Sequence, residues 1–545
     1  MTDAPGGAAP ADEAPRTPAT TGAATTQALA RAGLIVTGAF LLSRLLGYVR
    51  VVVLGAQFGI GPELDAFFAA FRIPDLLFQL VAAGALSSAL IPVIAGLVAT
   101  DEEQRAWRVV STVATLMLIV LLVLAVVVLI AAPVLVPAIT PGFDAATTGQ
   151  TVELTRIMVL SPVILALGAV ATSVLNARDR FGASAIAPLA YNLAIIGAAV
   201  FLAGPFGVTG LAIGVVAGSA CHLLVQIPPL RELGFRFRPS VDLRDAQARK
   251  ALVLMAPRAL GLGATQIVFV VMTSLASTLP PGSVTEFNFA FTLLQIPIGV
   301  IGVPLGIVLL PSLSREAAIG GALAYRRLLG RALDLLAYAM VVITGLGIVV
   351  AGDLTRLLFG YGRVEPAALE QTAATLQVFL IGLTAHALIA VLARAFYARQ
   401  DTITPVAAAL VAVVVDIAAA LVLVEPLGLI GLAAAIAAGA WAETIVLALL
   451  LERKVPDLAL IHVARTIAMT AVITAAGAAA ATLVDRFLVA AWGVEPTKVL
   501  LFVRLALSTA AGGLVVVAGS LALRIGELPT IVGLVTDVLR RRRPA

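Results

Sequence analysis

Charge is scarce in this chain: Asp, Glu, Lys and Arg together make up 12% of its 545 residues. Soluble domains carry about 25%, so a soluble globular protein is excluded. Lysine is nearly missing, with Lys250, Lys454 and Lys498 alone, and arginine therefore carries the net charge of +5. Cys221 is the single cysteine, which rules out an internal disulfide or a cysteine-based metal site. His222, His386 and His462 lie far apart and show no ligand spacing. No nucleophile motif, phosphate loop or metal signature occurs, so neither an enzyme nor a cofactor is expected. Nucleic-acid binding would need a basic face on a soluble domain, whereas these arginines sit in short loops between apolar runs.

What is abundant is apolar: 61% of residues are hydrophobic and the mean hydropathy is +1.07. The expected fold class is an all-α polytopic membrane protein. Taking about 20 apolar residues per span, fourteen transmembrane helices are expected, from 32–58 through 65–98 to 498–524. Residues 1–31, rich in Ala, Pro, Thr and Gly, lack the apolar surface to fold and are expected to be disordered. They show no basic segment ahead of a short apolar core, so no cleaved signal peptide is expected. Alternate loops, such as 178–183, 231–250 and 314–331, hold most of the arginines, while 59–64, 137–153 and 204–207 hold none. The positive-inside rule then places the basic loops and both termini in the cytoplasm. The tail Arg540–Arg543 is suited to anionic lipids of that leaflet.

The chain also repeats itself. GVTGLAIGVVAG from Gly207 recurs as GLIGLAAAIAAG from Gly428, and LNARDRF from Leu175 as FYARQDT from Phe396, both at an offset of 221. Such a repeat holds six spans, an even number, so the two halves share orientation and a substrate site falls between them. The expected organisation is an N-lobe at 32–230, a cytoplasmic linker at 231–248 and a C-lobe at 249–451. Spans 13 and 14 follow at 452–524, and a basic tail at 525–545.

Within Ser43–Pro92, two apolar segments carry Arg44, Arg50, Asp65, Arg72 and Asp75, with Pro74, Gly84 and Pro92 breaking the second. Charges in a bilayer-length segment cost several kcal/mol, on the order of 3 each at the helix centre, and usually line a wet path. Arg44 and Arg50 fall about 120° apart and about 9 Å along a helix, so they can flank one cavity. Asp65 and Arg72 fall on one face, two turns apart. A guanidinium offers a planar fork to phosphate oxygens and keeps its charge in a low-dielectric site. The bland alternatives are a self-satisfied Arg72–Asp75 pair and an Arg44 that snorkels to the interface. Arg258, after Pro257 in the seventh span, is the candidate cation from the second half. Asp416 and Glu443, mid-span acids, are candidates for ion coupling.

At these residues the chain resembles the lipid II flippase family of bacterial peptidoglycan synthesis (MurJ, formerly MviN), within the multidrug/oligosaccharidyl-lipid/polysaccharide exporter superfamily. The carrying blocks are SRLLGYVR at 43–50, DAFFAAFRIPDLL at 65–77, GALSSALIPV at 84–93 and TPGF at 140–143. LNARDRFGASAIAPLAYN at 175–192, LGIVLLPSLS at 305–314, LFGYGR at 358–363 and FYARQDTITPV at 396–406 extend them. The resemblance implies two six-helix lobes around a cationic cavity, with spans 13 and 14 as a groove for a polyprenyl tail. It implies a lipid-linked disaccharide-pentapeptide diphosphate as substrate, moved between leaflets by alternating access for cell-wall biogenesis. It also implies that Arg44, Arg50, Arg72 and Asp65 occupy the family's functional positions. The chain departs from the family at Phe78, Gln79, Ala83, Phe291 and Thr292, where charged residues are usual.

Three other readings stand beside a lipid II flippase: an exporter of another polyprenyl-linked glycan, an exporter of drugs or organic cations, and a non-transporting scaffold for cell-wall synthesis proteins. Cavity charge separates them. A net positive cavity suits an anionic lipid, a net negative one suits cation export, and a sealed apolar core suits a scaffold.

Overall fold

A computed structural model describes residues 21–81, 85–458, 460–492 and 497–529, with side chains described from residue 38 onward except at 40, 85, 87–88, 256–262 and 264. Among these residues every regular element is helical. The first lobe runs α1 (Thr21–Phe58), α2 (Pro62–Val81), α3 (Ala85–Ala99), α4 (Glu103–Ile139), α5 (Ala145–Met158), α6 (Leu160–Ala177) and α7 (Phe181–Phe201). It closes with α8 (Ala203–Phe206), α9 (Thr209–Leu224) and α10 (Ile227–Glu232). The second runs α11 (Ala246–Ser277), α12 (Ser283–Pro297), a π-helical turn (Ile298–Gly302), α13 (Val303–Ala318), α14 (Ala322–Phe359), α15 (Pro366–Ile381) and α16 (Leu383–Ala398). Then come α17 (Ile403–Leu427), α18 (Leu429–Lys454), α19 (Ile461–Trp492) and α20 (Lys498–Ala522).

Among the described residues, eleven helical stretches are long and apolar enough to cross a membrane, and twelve if the bent pair α15–α16 counts as one span. The two further spans expected from the sequence coincide with α2–α3 and α11, which are helical over their described residues. An expected count of fourteen is consistent with this order. Large apolar side chains such as Ile130, Val134 and Phe201 stay more than 70% exposed on the outer surface. That pattern suits lipid, because hydrocarbon rather than water is the solvent there. α1 begins at Thr21, inside the stretch expected to be disordered. Its alanine-rich start has strong helix propensity and extends the span. The rest of that tail, residues 1–20, and the basic cluster Arg540–Arg543 lie outside the described residues.

The repeat read from the sequence has backbone counterparts. Asp179 and Gln400, offset by 221, both take the left-handed conformation, with φ of 56° and 61°. Each is followed by a matching bond, Arg180 N to Leu175 O at 2.8 Å and Asp401 N to Phe396 O at 3.0 Å. Gly207 and Gly428 pair in the same way, with φ of 55° and 58°. Helix ends keep the offset: α6 stops at Ala177 and α16 at Ala398. The lobes therefore share one repeated helical pattern.

The linker between them lies along α4. Ser240 N donates to Thr115 Oγ1 at 3.1 Å and Arg238 N to Ser111 Oγ at 3.4 Å. Asp245 caps α11 by accepting from Gln247 N at 2.7 Å, and it also accepts from Arg105 Nε at 2.8 Å. That guanidinium holds the Asp245 carboxyl below the usual carboxylate range. The start of α11 is thus tied to the first lobe, and the helix packs both on α2, α3 and α4 of that lobe and on α17 of the second.

α19 and α20 pack on α14 through a buried charge cluster that the sequence reading did not single out. Arg504, 3% exposed, donates Nε to Asp353 Oδ2 at 2.5 Å and Nη2 to Asp353 Oδ1, with Asp485 Oδ1 3.4 Å from Nε. Removing one partner of a buried ion pair costs about 3–5 kcal/mol, because the other charge is left uncompensated. Arg504→Leu and Asp353→Ala are each expected to lower the thermal midpoint of the detergent-purified protein. Arg504→Met combined with Asp353→Leu is expected to recover most of that loss, and a loss equal to the sum of the singles would contradict the pairing.

Candidate functional site

Between the lobes lies a cavity of about 840 Å³, walled by α1, the end of α6, the start of α7, and α12 with its π-helical turn. The rotation between Arg44 and Arg50 on α1 lets both line it, and the described lining contains no Asp or Glu. Pro297 cannot donate a backbone hydrogen bond, and the widened turn that follows it presents Gly299 to α1. Arg44 lies against that glycine so closely that a Cβ there would sit 3.2 Å from Nη1. Arg50 makes no hydrogen bond or ion pair among the described residues. Among the described residues, the facing wall offers Thr292 and Gln295 and no cation. Thr292 turns its hydroxyl to Asn288 O at 2.7 Å.

The cavity also takes in neutral polar groups that a search for charged residues does not single out. Tyr48 sits inside the SRLLGYVR block itself, and its buried hydroxyl has no hydrogen-bond partner among the described residues. Asn176 accepts from Ser184 Oγ at 2.8 Å, and Asn192 donates to Pro188 O at 3.0 Å. Both line the cavity. Pro188, inside α7 and itself in the lining, is the sequence feature that marks this stretch.

Asp65 and Arg72 lie outside that lining and instead join the lobes. Asp65, 2% exposed, accepts from Gly282 N at 2.5 Å, Thr285 N at 2.8 Å and Thr285 Oγ1 at 2.6 Å. It therefore caps α12 from the opposite lobe, and its oxygens are used up in doing so. Its repeat counterpart Glu286 is buried beside it, at 7% exposure. Arg72 donates Nε to Thr273 Oγ1 at 2.8 Å and Nη2 to Asn288 Oδ1 at 2.7 Å, and lies 5.4 Å from the Phe269 ring centre. Asp75 accepts from Gln266 Nε2 at 2.6 Å. Both are bonded across the lobe interface, so Arg72–Asp75 is not a closed pair. Arg258 belongs to α11, but its side chain lies outside the described residues, as does Ala83.

Two loops complete the contact at this end, which is opposite the basic loops. TPGF brings Gly142 N to Ser277 Oγ at 3.3 Å, and LFGYGR brings Arg363 N to Ala56 O at 3.0 Å. A Cβ at Gly142 would collide with the Ser277 carbonyl, and one at Gly362 with the Ala56 carbonyl. The two contacts are repeat-related and cross in opposite directions. Phe291 packs into an aromatic cluster with Phe269, Phe287 and Phe379 at 5.1–6.3 Å.

Asp416 and Glu443 stand apart, between α17 and α18 of the second lobe. Asp416 Oδ1 is buried without a hydrogen-bond partner among the described residues, in space that exists because residue 439 is glycine. Glu443 is one turn along α18 from Gly439 and is coupled electrostatically to Asp416. Among the described residues, no group of three or more His, Cys, Asp or Glu side chains could hold a metal ion.

Asp65→Ala is expected to orphan three donors, at about 1–3 kcal/mol for each buried group left unsatisfied. Hydrogen exchange at the amides of Gly282 and Thr285 should rise by about tenfold or more. Unchanged protection at both amides would rule out the cap.

The family model described as lipid II flippase MurJ matches residues 54–503. A lipid II flippase MurJ of Burkholderia cenocepacia is 34% identical over 435 residues, covering 78% of this chain and 84% of that protein. A probable lipid II flippase MurJ of Rhizobium tropici is 31% identical, covering 76% and 80%. Among solved structures, lipid II flippase MurJ in an inward closed conformation superposes with a TM-score of 0.72 at 21% identity, over 90% of this chain. An inward-facing multidrug resistance MATE family transporter of the MOP superfamily superposes at 0.64 with 17% identity. The extent of the family match and of the identity to these relatives leaves one conclusion: this chain belongs to the lipid II flippase MurJ family.

Proposed function

We propose that this chain is a flippase rather than an enzyme, carrying lipid II, an undecaprenyl-diphosphate-linked disaccharide-pentapeptide, from the inner to the outer leaflet of the bacterial plasma membrane. The observation that carries this reading is the lining of the 840 Å³ cavity, which holds Arg44 and Arg50 and no described carboxylate. A diphosphate headgroup needs paired guanidinium forks. An organic cation would be repelled by them, which disfavours the drug-exporter reading. The open volume disfavours a sealed scaffold. Basic loops and both termini face the cytoplasm in this reading, so the joined end faces outward.

The cycle follows from where the charges are held. With the lobes joined at the outer end, Arg44 and Arg50 receive the headgroup from the cytoplasmic side. Rocking the lobes apart there breaks the Asp65 cap on α12 and the two crossing loop contacts. The same movement strips Arg72 from Thr273 and Asn288, and supplies a further guanidinium to the path only when it opens outward. Arg258 adds the second lobe's charge, compensating for Phe291 and Thr292. Neutral groups such as Tyr48, Asn192 and Gln295 face the uncharged part of the headgroup. Asp416 and Glu443 are the candidates for ion coupling, and membrane potential is a further drive, at about 2.3 kcal/mol per charge per 100 mV.

Arg50→Ala is expected to abolish rescue of a flippase-depleted cell and outward exposure of lipid II at normal protein level. Full rescue would overturn the arginine site. Arg258→Ala is expected to slow translocation by about tenfold or more, read in the same leaflet-specific assay. Asp416→Asn is expected to remove any ion dependence of that rate while leaving headgroup binding intact.

A further inference from the structure

The repeat makes each lobe a control for the other, and at one corner they differ. In the first lobe Arg178 ends α6 and donates Nη1 to Glu103 Oε1 at 2.6 Å, in the first turn of α4. At the same offset of 221, Arg399 ends α16 and Ala324 occupies the first turn of α14. The neighbouring residues there, Ala322 and Leu323, carry no charge either. The arginine has been kept and its carboxylate lost.

What Arg399 touches instead is neutral. Its described contacts are the Tyr325 ring, with the guanidinium carbon 6.0 Å from the centroid, and the Lys454 carbonyl at 3.4 Å. Tyr325 is itself fixed, 2% exposed, by donating to Ala395 O at 2.7 Å. Arg399 stands between two crevices of about 400 and 350 Å³. The larger also contains Arg326, Lys454 and Glu316. Arg326 donates Nη1 to Pro456 O and to Asp457, a carboxylate 86% exposed to solvent, and Nε to Ala322 O at 3.3 Å, leaving Nη2 for a ligand. Lys454 donates to Asp401 and, at 3.0 Å, to Thr404 Oγ1. Of the three cations, Arg399 alone has no described acidic partner. Exposed apolar side chains surround the corner, with Ile319 at 71%, Leu323 at 55% and Ile403 at 80%. It therefore sits where a basic loop face meets apolar surface, the place a headgroup phosphate occupies.

We propose that Arg399, flanked by Arg326 and Lys454, binds a phosphate group at the basic-loop end of the second lobe, outside the central cavity. The phosphate belongs to an anionic phospholipid headgroup or to a soluble phosphate compound. It takes the place that Glu103 fills in the first lobe, and an arginine fork suits its oxygens as it suits a carboxylate.

The test uses the full chain in micelles, titrated with phosphatidylglycerol or phosphatidylcholine and read by native mass spectrometry. Phosphatidylglycerol is expected to give a saturable adduct that phosphatidylcholine does not. Arg399→Ala should weaken that adduct by about tenfold or more, with Arg399→Lys intermediate. Ala324→Glu leaves Arg399 in place but supplies an internal carboxylate, and it should weaken the adduct as much. Ala324→Gln, of the same size without charge, should retain it and also guards against misfolding. Displacement by millimolar inorganic phosphate identifies a soluble phosphate as an equal occupant, and resistance to it identifies the lipid headgroup. An adduct unchanged in both Arg399→Ala and Ala324→Glu overturns the proposal, as does equal loss in Ala324→Gln.

Discussion

Charge inside an apolar bundle must be bonded across an interface or kept wet, and that constraint organises this molecule. A bilayer core offers no water to solvate an ion, so an unpaired one is expelled or rearranged. Arg504 solves this by a two-nitrogen bond to Asp353 that fastens the last two helices to α14. Asp65 solves it by capping a helix of the opposite lobe, and Arg72 by bonding a threonine and an asparagine across the same interface. Arg44 and Arg50 line an open cavity. The same cost thus separates charges that hold the fold from charges that can receive a ligand.

The duplication supplies the second organising fact. Two copies of one helical unit meet face to face, so a contact made by one lobe tends to be answered by the other. Gly142 against Ser277 and Gly362 against Ala56 are such a pair, and together they join the lobes at one end. Where the copies diverge, function is the place to look. Among the described lining residues, the first lobe brings two arginines into the cavity while the second brings Thr292 and Gln295. The first lobe pairs Arg178 with Glu103, while the second leaves Arg399 on a tyrosine ring.

Much of the fold was legible before any coordinates. Spans are long apolar runs, loops are breaks in them, and a constant offset of 221 between similar blocks is arithmetic on the sequence. The rotation between Arg44 and Arg50 likewise needed only helical periodicity. Asp65 and Arg72 show the limit of that reasoning. Periodicity puts them on one face of α2 but says nothing of what packs on that face, and Thr285, Asn288 and Thr273 arrive from more than 200 residues away. Arg504 lies in the apolar interior of the last span in the sequence, but its partner lies 151 residues upstream.

The sequence by itself determined the class of molecule, the approximate spans, the duplication and the family resemblance, because these rest on composition, on local periodicity and on self-similarity along the chain. Only the tertiary structure decided which charges face the cavity, which bind the lobes together, and which arginine lacks the acid its counterpart has. Those outcomes depend on side chains brought together from distant segments, and in a medium that does not solvate ions the nearest partner decides what a charged residue does.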